Sequence, residues 1–114
     1  LNESDEESGL CHLIEHMVFK GTKTYQPGEI STLVEANGGD LNAYTSFDQT
    51  VYYINLPAKS FRLGVNILKE MVFDAKFDPE ELEREKEVVV EEIRRGNDNP
   101  QRVLSEMLFS NHYK

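Results

Sequence analysis

Cysteine is nearly absent. One thiol, Cys11, occurs in 114 residues, so no internal disulfide can staple the fold, and a single thiol does not fix the redox compartment. Basic residues are in deficit, with 12 Lys and Arg against 21 Asp and Glu and a formal net charge of −9. A nucleic-acid binder needs clustered Lys and Arg, so nucleic acid is excluded as a partner. An acidic cleft suits basic peptides instead. No apolar run approaches the ~20 residues that span a bilayer, which argues against a membrane role. The first residues are acidic and polar, so no targeting segment is visible. Internal repeats and low-complexity linkers are also missing. What is present is 39% hydrophobic and 29% charged, a globular rather than disordered composition, in a length that suits one domain.

The chain is organised around Cys11-His12-Leu13-Ile14-Glu15-His16-Met17, a His-x-x-Glu-His pattern inside an apolar run from Leu10 to Phe19. On a helix, residues three and four apart share a face. His12 and His16 can therefore converge on one point, with Glu15 projecting beside His16. Two imidazoles with an adjacent carboxylate can hold Zn²⁺ and activate a water on it, and the spacing matches the inverted zinc-peptidase motif. A His pair four apart on a solvated face would carry no chemistry. Here Leu10, Leu13, Ile14, Met17, Val18 and Phe19 surround the helix, which predicts burial on all sides, and buried imidazoles and carboxylates are costly unless paired or metal-bound.

Leu1 to Ser8 reads as a loop. The motif helix opens at Gly9 and ends near Lys20-Gly21, where glycine suits a C-terminal cap. Pro27 fits the first turn of a second helix to about Ala36, stopped by Asn37-Gly38-Gly39. Leu41 to Thr45 and Thr50 to Leu56 read as strands joined by a turn at Ser46 to Gln49. Ser60 is the candidate cap of a third helix. Asp78-Pro79-Glu80-Glu81 is a strong helix start, and that fourth helix runs to about Arg95. Asn99-Pro100 begins a fifth. Two strands are too few for a self-sufficient sheet, so the expectation is an α+β fold whose remaining strands lie outside these residues.

Two histidines do not complete a catalytic zinc site, which ordinarily has three protein ligands and a water. On the fourth helix Glu92 is flanked by Val88, Val89 and Ile93. Glu85, seven residues earlier, falls about 20° from it at 3.6 residues per turn. Glu91 instead gathers with Arg84, Glu87 and Arg95, at spacings that suit surface ion pairs. Glu92 and Glu85 are therefore predicted to face the core, either as site residues or as boundary carboxylates paired with Lys or Arg.

The segments Gly9 to Thr22, Gly39 to Ser46, Thr50 to Tyr53 and Glu85 to Ile93, in this order, resemble the pitrilysin-like (insulinase-type) zinc peptidases, most closely the shorter bacterial and mitochondrial-processing-peptidase-like members. The resemblance covers nearly the whole chain. It implies an α+β fragment of a pitrilysin/processing-peptidase-like domain, with helices packed on one face of an antiparallel-rich sheet. Residues 1–114 would form the core of the N-terminal zinc-binding domain, as an excerpt of a longer chain. By resemblance the compartment would be bacterial cytoplasm or periplasm.

The implied activity is a zinc-dependent endopeptidase acting on peptides or unfolded segments. His12, His16 and Glu92 would hold one Zn²⁺, Glu15 would be the general base, and Glu85 would orient a ligand or the base. The strand from Leu41 to Ser46 resembles the family's substrate-docking edge, with Asn42 and Ala43 as contacts and Tyr44 as a pocket wall. The implied partners are a peptide substrate and a second homologous half or subunit that closes the cleft. Alone, the segment is expected to be inactive and prone to self-association through its strand edge. The alternative is a catalytically inactive subunit or binding module of a two-part peptidase; the intact motif speaks against it. A purely structural zinc site is disfavoured because no fourth protein ligand is evident.

Overall fold

The computed structural model describes residues 3–112. Besides two 3₁₀ turns, five α-helices and two strands follow in order: α1 (Leu10–Val18), α2 (Glu29–Ala36), β1 (Asp40–Thr45), β2 (Thr50–Asn55), α3 (Phe61–Phe73), α4 (Pro79–Asn97) and α5 (Pro100–His112). The class is α+β. β1 and β2 form an antiparallel hairpin in which Leu41 faces Ile54, Ala43 faces Tyr52 and Thr45 faces Thr50. Side chains alternate across a strand, so these pairs share the face covered by helices. Asn42, Tyr44 and Tyr53 are exposed on the other face. Among the described residues, β1 is paired along one edge only.

The core lies between the hairpin and the helices. Val18 of α1, Ile30 and Val34 of α2, and Ile67 and Met71 of α3 are buried together, with Leu41, Tyr52, Ile54 and Leu56 packed against them. A backbone bridge pairs Thr22 with Ala75 and ties the segment after α1 to the segment after α3. Lys23 N–H donates to the Asp74 carbonyl at 3.0 Å and Lys76 N–H to the Gly21 carbonyl at 2.9 Å. Among the described residues no helix is long and apolar enough to cross a membrane.

Helix ends follow local chemistry. The Asp78 carboxylate accepts from the backbone N–H groups of Glu80 and Glu81, with Pro79 at the first position, as the sequence predicts. α2 closes with the Gly38 N–H donating to the Glu35 carbonyl at 2.9 Å and the Gly39 N–H to the Val34 carbonyl at 3.1 Å, a Schellman ending. Gly38 takes φ 76°, in the left-handed region, which suits glycine. Gly39 is constrained by space instead: a Cβ there would collide with the Asn55 carbonyl and the Leu56 side chain.

Several expectations are corrected. α1 is not buried all round: Leu10 is 45% and Ile14 36% exposed, because only its C-terminal turn enters the core. Pro27 precedes α2 rather than opening it; Gly28 at φ 84° forms a turn before Glu29. Ser60 makes no side-chain cap, because a 3₁₀ turn over Ala58–Ser60 runs directly into α3. α4 passes through Gly96 to Asn97. The segment before the motif holds a 3₁₀ turn at Asp5–Glu7; Leu1 and Asn2 of the predicted loop lie outside the described residues.

Candidate metal centre

The motif helix is anchored at both ends. Gly9, at its N-cap, has no side chain to satisfy the free N–H groups there. The carboxylate of Glu3 takes that role, accepting from the Gly9 N–H at 2.9 Å and the Cys11 N–H at 2.5 Å. These bonds, from Cys11 first and then Gly9, hold the Glu3 carboxyl below its ordinary range. The same carboxylate pushes the neighbouring Cys11 thiol up. At the other end, Met17 and Val18 are buried.

Between these anchors the two imidazoles meet. His12 Nε2 and His16 Nε2 are 3.3 Å apart. Glu92 Oε2, on α4, lies 3.6 Å from the first and 3.5 Å from the second. Zinc bonds to nitrogen and carboxylate oxygen are about 2.0–2.2 Å, which makes the edge of a tetrahedral site about 3.3–3.6 Å. The three donor atoms thus span one face of such a tetrahedron, and His12, His16 and Glu92 can hold a metal ion.

The next contact sets the tautomer. Glu85 is 5% exposed, and its Oε2 is 3.0 Å from His16 Nδ1. Its Oε1 lies 2.6 Å from Lys20 Nζ. Burial pushes the Glu85 carboxyl up, but the hydrogen bonds from Lys20 and His16 outweigh it and hold it below its ordinary range. An ionised carboxylate only accepts, so His16 Nδ1 donates to Glu85 and Nε2 is the ring nitrogen that faces His12 and Glu92. A carboxylate hydrogen-bonded to the far nitrogen of an imidazole is the arrangement that orients a histidine toward a metal. Three possible ligand atoms, His12 Nε2, His16 Nε2 and Glu92 Oε2, thus converge on one point.

Glu15, between the two histidines, points to the hairpin, where the Thr45 hydroxyl donates to its Oε2. A cleft of about 310 Å³ opens beside His12, lined by Glu3, Cys11, Thr45, Phe47, Asp48 and Thr50 among others. Of the strand residues, Ala43 lies on the helix-covered face and its N–H donates to Asn42 Oδ1 at 2.9 Å. Tyr44 is 48% exposed on the opposite face and is not a core residue.

The structure brings His12, His16, Glu92 and Glu85 together between α1 and α4, while Glu15 of α1 turns to Thr45 of the hairpin. Asn42, Ala43 and Tyr44 stand apart on β1. One expectation is corrected: the Glu92 side chain is 46% exposed rather than sealed in an apolar stripe, because Val88 and Ile93 beside it are also exposed and only Val89 is buried. The helix phase holds, since Glu91 turns away to Arg94 at 3.7 Å and Arg95 at 3.5 Å. Three contributors escape a sequence reading. Thr45 carried a signal, as the one polar residue among Leu41, Ala43 and Thr45 on the inner face of β1. Lys20 lies one turn beyond His16, but its partner is distant in sequence. Glu3 carries no periodic signal at all.

Residues 1–114 match the family model described as Insulinase (Peptidase family M16), and the chain belongs to that family. It is similar to an uncharacterized zinc protease from Rickettsia felis, 36% identical over 112 residues, covering 98% of this chain and 27% of that protein. It is also similar to the human mitochondrial-processing peptidase subunit beta, 35% identical over 98% of this chain and 23% of that one. Among solved structures, a protease from Helicobacter pylori superposes with a TM-score of 0.87 at 34% identity, covering 90% of this chain and 25% of that chain. The first half of the periplasmic protease PqqL from Escherichia coli does so at 0.79 and 32%, covering 92% and 24%. The chain thus spans about a quarter of the length of these relatives.

Proposed function

We propose that this chain forms the core of the N-terminal, zinc-bearing domain of a metalloendopeptidase that hydrolyses peptide bonds in peptides or unfolded segments. The observation that carries the reading is the triangle of His12 Nε2, His16 Nε2 and Glu92 Oε2, with edges of 3.3, 3.6 and 3.5 Å. The names of the relatives, zinc protease and processing peptidase, support it.

A zinc ion held by these three residues supplies a Lewis acid and a water of lowered pKa. Glu15 takes a proton from the attacking water and passes it to the leaving amine as the peptide C–N bond breaks. Glu85 keeps the His16 proton on Nδ1, so that Nε2 stays a donor to the metal. Lys20 keeps Glu85 ionised. The open edge of β1 accepts an extended peptide by backbone hydrogen bonding, with Asn42 and Ala43 as contacts and Tyr44 walling one side-chain pocket. A second homologous half or subunit closes the cleft. Support for that comes from relatives described as a subunit and as a first half.

The test uses the protein at its full natural length. Glu15→Gln is expected to keep stoichiometric zinc while turnover of a quenched peptide falls at least about 100-fold, the low end of what a general base contributes. Retained turnover, or loss of zinc, overturns the assignment. The 114-residue segment by itself is expected to hydrolyse peptides poorly, since much of the rate comes from positioning by parts it lacks.

A further inference from the structure

We propose that Thr45 is a positioning residue for Glu15: its hydroxyl ties one carboxylate oxygen and leaves the other to take the proton. This rests on Glu15 being the general base. Thr45 is the last residue of β1 and faces Thr50 across the final rung of the hairpin, which a Ser46 N–H to Gln49 carbonyl bond closes at 2.8 Å. Its placement is therefore fixed by backbone pairing rather than by a mobile loop.

The direction of the hydrogen bonds follows from counting protons. An ionised carboxylate has none to give, so the Thr45 O–H donates to Glu15 Oε2. Thr45 has only one proton. The contact between Thr45 Oγ1 and Thr50 Oγ1 at 3.1 Å must then be donated by Thr50. Two hydroxyls in series thus point toward Glu15, Thr50 to Thr45 and Thr45 to the carboxylate. Glu15 Oε1 has no hydrogen-bond partner among the described residues. That oxygen is the acceptor the pair leaves open. Thr45 also holds the carboxylate from the hairpin side, whereas His16, on the same helix as Glu15, is held by Glu85 of α4.

The experiment compares Thr45→Val, which keeps the shape and removes the hydroxyl, with Thr45→Ser, which keeps the hydroxyl, in the full-length zinc-loaded protein. Thr45→Val is expected to lower kcat about 10- to 100-fold, the scale of a misplaced catalytic group, with KM, zinc stoichiometry and melting temperature unchanged. Thr45→Ser is expected to restore kcat. Added to Glu15→Gln, Thr45→Val is expected to have no further effect on the residual rate. Wild-type kcat in Thr45→Val with an inactive Glu15→Gln overturns the positioning role alone; full turnover in Glu15→Gln removes the base and the proposal together. A rise in KM only, or loss of zinc, overturns the proposal in favour of a substrate contact or a structural role. Should Thr45→Val fail to fold, Thr45→Ser decides: kcat as in the wild type supports the role of the hydroxyl, and a folded, zinc-loaded Thr45→Ser that has lost turnover overturns it.

Discussion

The two sides of the molecule are built differently. On the α2–α3 side, Val34, Ile67 and Met71 are fully buried against the hairpin. On the α4–α5 side, α4 buries only Glu85, Val89 and Gly96, and α5 buries nothing. α1 belongs to both: Val18 enters the core, while His12 and His16 turn toward α4. Two of the candidate donors therefore ride on a helix anchored by apolar packing, and the third on a helix whose buried side chains are only Glu85 and Val89. Stability and metal binding are accordingly separable, and a metal bridging His12, His16 and Glu92 would clamp α4 to α1.

The largest effect expected is on the packed side. Ile67→Ala removes a side chain with no solvent exposure and should cost about 2–5 kcal/mol, read by chemical denaturation of the chain. A loss below 1 kcal/mol would erase the contrast between the two sides. Next comes the third donor. Glu92→Gln should weaken zinc binding by more than about 100-fold, beyond the range of an outer-shell change, whereas Glu91→Gln should leave it alone, because Glu91 belongs to exposed ion pairs of little worth. Metal titration decides, and the reverse pattern would break the helix phase. Smaller is Glu85→Gln, expected to lower zinc affinity by roughly 10- to 100-fold through His16; an unchanged affinity would show that the buried carboxylate does not act through the imidazole. Smallest is Leu104→Ser on α5, 59% exposed, where thermal unfolding should register a change within about 0.5 kcal/mol. A larger drop would mean that α5 contributes to the fold more than its burial indicates.

Much of this contrast is legible in the sequence, and the part that is not has a physical cause. Local signals found the five α-helices and both strands, though not the two 3₁₀ turns: Asp78-Pro79 at a start, Asn37-Gly38-Gly39 at a stop, alternation through Leu41 to Thr45. Periodicity also gave the relative phase of Glu85, Glu91 and Glu92, which is a property of one helix. It failed on how much of each helix is covered, because that depends on neighbours. α1 reads as apolar all round, yet Leu10 and Ile14 are exposed, and Glu92 reads as buried but stands at an open rim. Contacts such as Lys20 to Glu85, Thr45 to Glu15 and Glu3 to the Gly9 and Cys11 amides join distant positions or cross from loop to helix, where no spacing rule operates.

Gly38 and Gly39 leave little room for mutational drift at the entry to β1. The first is demanded by backbone dihedral and the second by space, so different substitutions fail at each for different reasons, and a saturation library selected for folding should return glycine at both. The consequence reaches further than the turn. A one-residue slip in a strand exchanges its two faces, and a slip entering at this junction would present Tyr44 to Glu15 where Thr45 now stands. Two residues without side chains thus fix which side chain meets the carboxylate at the far end of the strand.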